Sequence, residues 1–234
     1  MNLRINLLIL ILIYLILISG IFWFYPGIDL WVSSLFWQAG QKFIYLNSPW
    51  FFWASWIRKI LNFSVWACVF ISLIGLFWKK YRKNCFYILF CFALAPGLIT
   101  NVVLKNHWGQ PRPVEIHNFG GDLNYQKDWV VSNQCPTNCS FVCGDCSAVF
   151  IFFAFVPLIK NRNKNKKNKI IKTLLAGIII GASLLIGLIR LGQGGHFLSD
   201  VLLAYGIDGL VICLGVTSVL NYESIRAFEF FRRR

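Results

Sequence analysis

The chain has 234 residues, of which 57% are hydrophobic, 17% aromatic and only 14% charged, against about 25% charged in a typical soluble domain. A water-soluble domain of this length cannot bury so much apolar surface, so composition excludes an ordinary soluble domain, a disordered chain and a coiled coil, and leaves lipid as the solvent. The net charge of +14, from 23 Lys+Arg against 9 Asp+Glu, fits either a nucleic-acid binder or a membrane protein with basic loops on one side.

A transmembrane helix needs about 20 apolar residues. The first such stretch is 5–25, which ends at Pro26 and lacks a small-residue cleavage site, so it is expected to be a retained anchor. The next are 61–78 and 85–104, the latter interrupted by Pro96-Gly97, which bilayer helices tolerate when neighbours satisfy the freed backbone groups. A short stretch, 144–159, follows, then 170–189 and 197–220. The pattern predicts an all-α membrane bundle of six helices, a single polytopic domain over 1–234.

The basic residues decide orientation. Arg4 precedes the first stretch, Lys79, Lys80, Arg82 and Lys83 separate the second and third, and Lys160, Arg162, Lys164, Lys166, Lys167, Lys169 and Lys172 separate the fourth and fifth. With Arg226 and Arg232, Arg233 and Arg234 of the tail, sixteen of the 23 basic residues fall on one side. By the positive-inside rule that side is cytoplasmic, and both termini with it. The runs flank spans and lack interleaved aromatics, so they read as topology determinants and not as a nucleic-acid surface. The opposite face carries 27–59, 105–142 and the tight turn 190–196. Trp31, Phe36, Trp37, Trp50, Phe51, Phe52, Trp53 and Trp56 in the first of these predict interfacial helices.

Polar residues at a membrane rim are functional candidates by default. Three clusters lie at helix ends on the non-cytoplasmic face: Lys105 to Pro113, Ser140 to Asp145, and Arg190 to Asp200. Lys105, Arg112 and Arg190 repel one another unless a polyanion joins them, and guanidinium forks with an ammonium suit phosphate oxygens. Cys143-Gly144-Asp145 opens a helix, where unpaired backbone N–H groups favour an anion. His196 and Asp200 stand four apart, as on one face of a first helical turn; the carboxylate orients one imidazole nitrogen and leaves the other to attack. Together these define a nucleophile, an orienter and an anion cradle for phosphoryl transfer. Each piece alone has a plainer explanation: snorkelling side chains for the Lys and Arg, a helix cap for Asp200, an interfacial hydrogen bond for His196. Their joint occurrence on one face favours the site.

The ordered pattern Lys105-x6-Arg112-Pro113, a Gly144-centred helix start, and Arg190-x5-His196-x3-Asp200 resembles the type 2 phosphatidic acid phosphatase superfamily. The resemblance implies that His196, supported by Asp200, forms a phosphohistidine without metal or other cofactor, with Lys105, Arg112 and Arg190 holding the phosphate. The superfamily's usual Pro-Ser-Gly-His is replaced here by Val142-Cys143-Gly144-Asp145. The segment Asn138 to Asp145, with Lys105-Asn-His-Trp-Gly and Gln193-Gly-Gly-His196-Phe, is similar to a narrower branch, the lipid A 4′-phosphatases of Gram-negative bacteria. The implied partner is a lipid phosphate on the periplasmic face of the inner membrane; no nucleic acid and no obligate protein partner are implied. Another lipid phosphate, a phosphotransferase, and a non-catalytic anionic-lipid binder stay open as alternatives.

The general acid has three candidates: Asp145, once substrate neutralises the surrounding cations, His107, or water. Of the eight cysteines, Cys68, Cys85, Cys91 and Cys213 read as small buried hydrophobes. The cluster Cys135, Cys139, Cys143 and Cys146 admits a zinc reading. A Cys135–Cys139 disulfide in an oxidising periplasm fits better, because Cys143 and Cys146 begin a membrane helix. Cys143 as a nucleophile lacks a nearby activating base at helical spacing.

Overall fold

A computed structural model describes residues 2–38, 42–44, 49–159 and 166–220. Among them there are seven main helices and no strand: α1 (Asn2–Phe24), α2 (Gly27–Ser34), α3 (Pro49–Gly75), α4 (Arg82–His107), α5 (Gly144–Leu158), α6 (Lys166–Gly192) and α7 (Leu198–Leu220). Five of these are long and apolar enough to cross a membrane: α1, α3, α4, α6 and α7. The sixth expected span is the shorter apolar α5. Its second half winds as a 3-10 helix through Pro157, and the steeper 3-10 rise stretches the whole to about 26 Å, near the hydrocarbon thickness of about 30 Å.

The second expected span, 61–78, needs correction. The described helix already covers Pro49 and stops at Gly75, where a turn carrying Lys79 and Lys80 closes it. The aromatic run from Trp50 to Trp56 therefore extends a spanning helix instead of forming a separate interfacial one. Pro96 leaves its mark on α4. A proline removes one N–H and clashes with the carbonyl four residues back, and Ala93–Leu104 accordingly winds as a π-helix. The Asn101 side chain donates to the Pro96 carbonyl at 2.6 Å.

Helix α7 is the centre of the bundle. Gly206 lets α1 approach it closely at Leu15 and Tyr14, the close packing that small residues permit where lipid supplies no hydrophobic drive. Tyr14 donates to the Leu202 carbonyl at 3.0 Å, and Ser147 of α5 donates to Asp208 at 2.7 Å. Large apolar side chains such as Ile16, Phe63 and Phe77 are 71%, 74% and 84% exposed, which in water would be untenable. Above the bundle, Phe43, Ile116, Phe119 and Phe197 form a separate apolar cap.

The described basic residues before α4 (Lys79, Lys80) and at the starts of α4 (Arg82, Lys83) and α6 (Lys166, Lys167, Lys169, Lys172) sit at the far helix ends from Lys105 and Arg190. Lys160, Arg162, Lys164, Arg226, Arg232, Arg233 and Arg234 lie outside the described residues.

Candidate active site

The three motif clusters meet where α4 and α6 end and α5 and α7 begin. One groove of about 790 Å³ is lined at this end by Lys105, Arg112, Gly144, Asp145 and Arg190, and continues between α3 and α4 past Val65, Trp66, Val69, Leu89 and Phe92. It is therefore polar at its head and apolar along its length. The Lys105 ammonium lies against Gly144, where a Cβ would stand 3.5 Å from Nζ.

His196 and Asp200 lie behind this polar head, 1% and 0% exposed. Their contact differs from the expected helical pairing. Helix α7 begins at Leu198 with Phe197 as its cap, so His196 precedes the helix. Asp200 Oδ2 reaches back to accept from the Phe197 N–H at 2.9 Å and faces His196 Nδ1 at 3.4 Å. It thus caps the helix and orients the imidazole at once. Ser140 completes the arrangement: its hydroxyl donates to Asp200 Oδ2 and stands 3.4 Å from His196 Nδ1. With Nδ1 so occupied, Nε2 is buried and has no hydrogen-bond partner. Burial, then the charges of Arg190, Lys105 and Arg112, hold the His196 pKa well below its ordinary value. The ring is neutral at physiological pH, which leaves a lone pair on the unpartnered Nε2.

Loop backbone keeps these groups in place. The Cys139 and Ser140 N–H groups donate to the Lys105 and Gln110 carbonyls, both at 2.9 Å, which seats Ser140 beneath the histidine. Arg112 Nη2 donates to the Asn138 carbonyl at 2.7 Å. Arg190 Nη1 donates to Gln193 Oε1 at 2.7 Å, and its guanidinium lies over Gly195, where a Cβ would stand 2.7 Å from Nη2. Gly194 adopts a left-handed φ of 62° against the Phe43 ring, a conformation that costs glycine nothing.

Asp145 does not stand free. Its Oδ2 lies 3.2 Å from Arg190 Nε and 3.3 Å from Arg58 Nε. Arg58, which also lines the groove, precedes the apolar stretch 61–78 and reads as a loop residue in the sequence. A charge inside the longer apolar helix would have signalled it. His107 turns back on its own helix, with Nδ1 2.8 Å from the Val102 carbonyl, and does not line the groove.

The four clustered cysteines form two disulfides, Cys135–Cys139 and Cys143–Cys146. The first is the expected pairing; the second was not foreseen. Both pairings stand against the zinc and cysteine-nucleophile readings. Cys143 gives its N–H to the Asp200 carbonyl at 3.1 Å, so the anion cradle expected of Cys143 and Gly144 falls to the Gly144 end of the pair. A buried acidic pair, Asp29 of α2 and Asp128 of the loop, flanks Ser199 at the start of α7; no sequence motif marks it.

The described helices thus form a membrane bundle in which a neutral, buried histidine stands behind a cluster of cations. The chain belongs to the PAP2 superfamily, whose family model matches residues 86–224, and it is a lipid phosphatase, a phosphoric monoester hydrolase. It is similar to the lipid A 4′-phosphatase of Francisella tularensis subsp. novicida (strain U112), with 38% identity over 77% of this chain and 81% of that one. The lipid A 4′-phosphatase of Rhizobium leguminosarum is 28% identical over 82% of this chain and 87% of its own. No solved structure matches the chain significantly.

Proposed function

We propose that this lipid phosphatase removes the 4′-phosphate of lipid A at the periplasmic face of the bacterial inner membrane, with both termini in the cytoplasm. The observation that carries the chemistry is the buried, unpartnered Nε2 of a neutral His196 beside three cations. The substrate assignment is supported by the names of the relatives, and the orientation by the basic helix ends opposite the site.

The lipid phosphate seats at the polar head of the groove, held by Lys105, Arg112, Arg190 and the backbone at Gly144, with acyl chains along the apolar wall between α3 and α4. The His196 Nε2 lone pair attacks phosphorus as the bond to the sugar oxygen breaks. Asp200 and Ser140 hold the Nδ1 proton and stabilise the positive ring. The three cations neutralise the charge spread over the phosphoryl oxygens, the largest contribution expected in such a transfer. Asp145 is the carboxyl lining the groove; once phosphate draws the guanidiniums from it, it takes up the proton of the monoanionic phosphate hydroxyl and passes it to the leaving sugar oxygen. It then takes one from the water that cleaves the phosphorus–nitrogen bond, releasing phosphate and restoring His196. The scheme requires no metal, and activity is expected to persist in chelator.

The test is mass spectrometry of lipid A incubated with the purified chain in detergent. Loss of one phosphate from the distal glucosamine, absent with His196→Ala, supports the reading. Unchanged lipid A, or full release by His196→Ala, overturns it.

A further inference from the structure

Arg58 is the feature that the mechanism above leaves unused. It projects from α3, the outer wall of the groove, with its side chain 41% exposed. Its Nε–H is nevertheless buried, and although Asp145 Oδ2 lies 3.3 Å away, the two are not aligned for a hydrogen bond; the same holds for Arg190 Nε at 3.2 Å. One carboxylate oxygen therefore faces two guanidinium Nε–H groups and satisfies neither. A buried donor left unpaired costs about 1–3 kcal/mol, so the arrangement favours an anion with more oxygens. A phosphate group presents three, with about −1.5 to −2 of charge, and the groove head opposes four cations, Arg58, Lys105, Arg112 and Arg190, with the single carboxylate of Asp145.

We propose that Arg58 is a fourth phosphate-binding cation, held by Asp145, whose carboxylate stands in for a substrate oxygen until the phosphate displaces it. The inference rests on the phosphate-site reading of the groove head. Because both Nε atoms converge on one oxygen, Arg58 and Arg190 grip the same phosphate from opposite walls, one from α3 and one from α6. The site is complete only when α3 is in place, which couples phosphate binding to the helix that flanks the acyl groove.

Inorganic phosphate, titrated into the detergent-solubilised full chain at low ionic strength, tests this apart from turnover. Arg58→Gln is expected to weaken binding about 10-fold, as for the loss of one charge-assisted hydrogen bond. Arg58→Lys, keeping the charge, is expected to recover part of that loss. Asp145→Asn, which removes the competing carboxylate, is expected to tighten binding; a merely structural ion pair would weaken or unfold instead. Arg190→Gln serves as the reference for loss of a phosphate contact. If Arg58→Gln binds phosphate as the parent does while Arg190→Gln does not, Arg58 is only a structural partner of Asp145 and the proposal falls alone. If neither variant weakens binding, the phosphate-site reading falls with it.

Discussion

The buried pair Asp29 and Asp128 is expected to make stability fall as pH rises. Ser199 Oγ lies 2.6 Å from Asp29 Oδ2 and 3.0 Å from Asp128 Oδ1. One hydroxyl has one proton to give, so both contacts are hydrogen bonds only if one carboxyl is itself protonated. Burial and the neighbouring Asp128 charge push Asp29 from 3.8 up to about 7; burial, opposed by hydrogen bonds from Ser199 and Gln110, pushes Asp128 up to about 6. Both groups bind protons more tightly in the folded chain than in the unfolded one. Their penalty is therefore absent below about pH 4 and grows as pH rises through about 7. For Asp29 alone, raised to about 7, the loss of stability between pH 5 and pH 8 is about 3 kcal/mol, or about 6–12 °C in Tm for a chain of this size. Asp29→Asn keeps an acceptor for the Ser199 N–H, now 2.9 Å from Asp29 Oδ1, and removes the ionisation. Thermal unfolding in detergent at pH 5, 6, 7 and 8 checks this: the variant should show less than half of the parent's decline. Equal slopes for the two proteins, or a parent that gains stability toward pH 8, would refute the shared-proton reasoning.

Three further outcomes follow from the site. Asp200→Asn should cut the rate of phosphate release about 100-fold or more, because the charged histidine loses its counter-ion; a parental kcat would remove Asp200 from the mechanism. Gly195→Ala puts a Cβ 2.7 Å from Arg190 Nη2 and should lower kcat/KM about 100-fold, as for loss of one charge-stabilising donor, whereas Gly181→Ala, with open space around it, should behave as the parent. The Cys135–Cys139 disulfide spans a separation of only 4 residues, so Cys135→Ser should cost about 2 kcal/mol, read as a lower Tm; an unmoved Tm would mean that the bridge does not pin the Ser140 loop.

Much of the fold was legible because lipid is an exacting solvent. A spanning segment must satisfy its own backbone and present apolar side chains over a set length, so all six apolar stretches appear as helices despite errors of several residues at their ends. The error at the second span mattered, since starting it at 61 left Arg58 looking like a loop residue. The spacing of His196 and Asp200 predicts that they meet, yet the reason they do is not helical facing. Asp200 turns back over the cap at Phe197, and a spacing rule cannot tell these two geometries apart.

By itself the sequence determined the solvent, the number of apolar helices and the order of the motif residues at their ends, because each of these depends on local composition or short spacing. Tertiary structure alone decided which distant groups share a site. It brought Ser140 to Asp200 across 60 positions and Arg58 to the same carboxylate as Arg190, and it linked Asp29 to Ser199 across 170. Such pairings arise only when packed helices remove polar groups from water and leave them no partner except one another, and no pattern along the chain records which partner that will be.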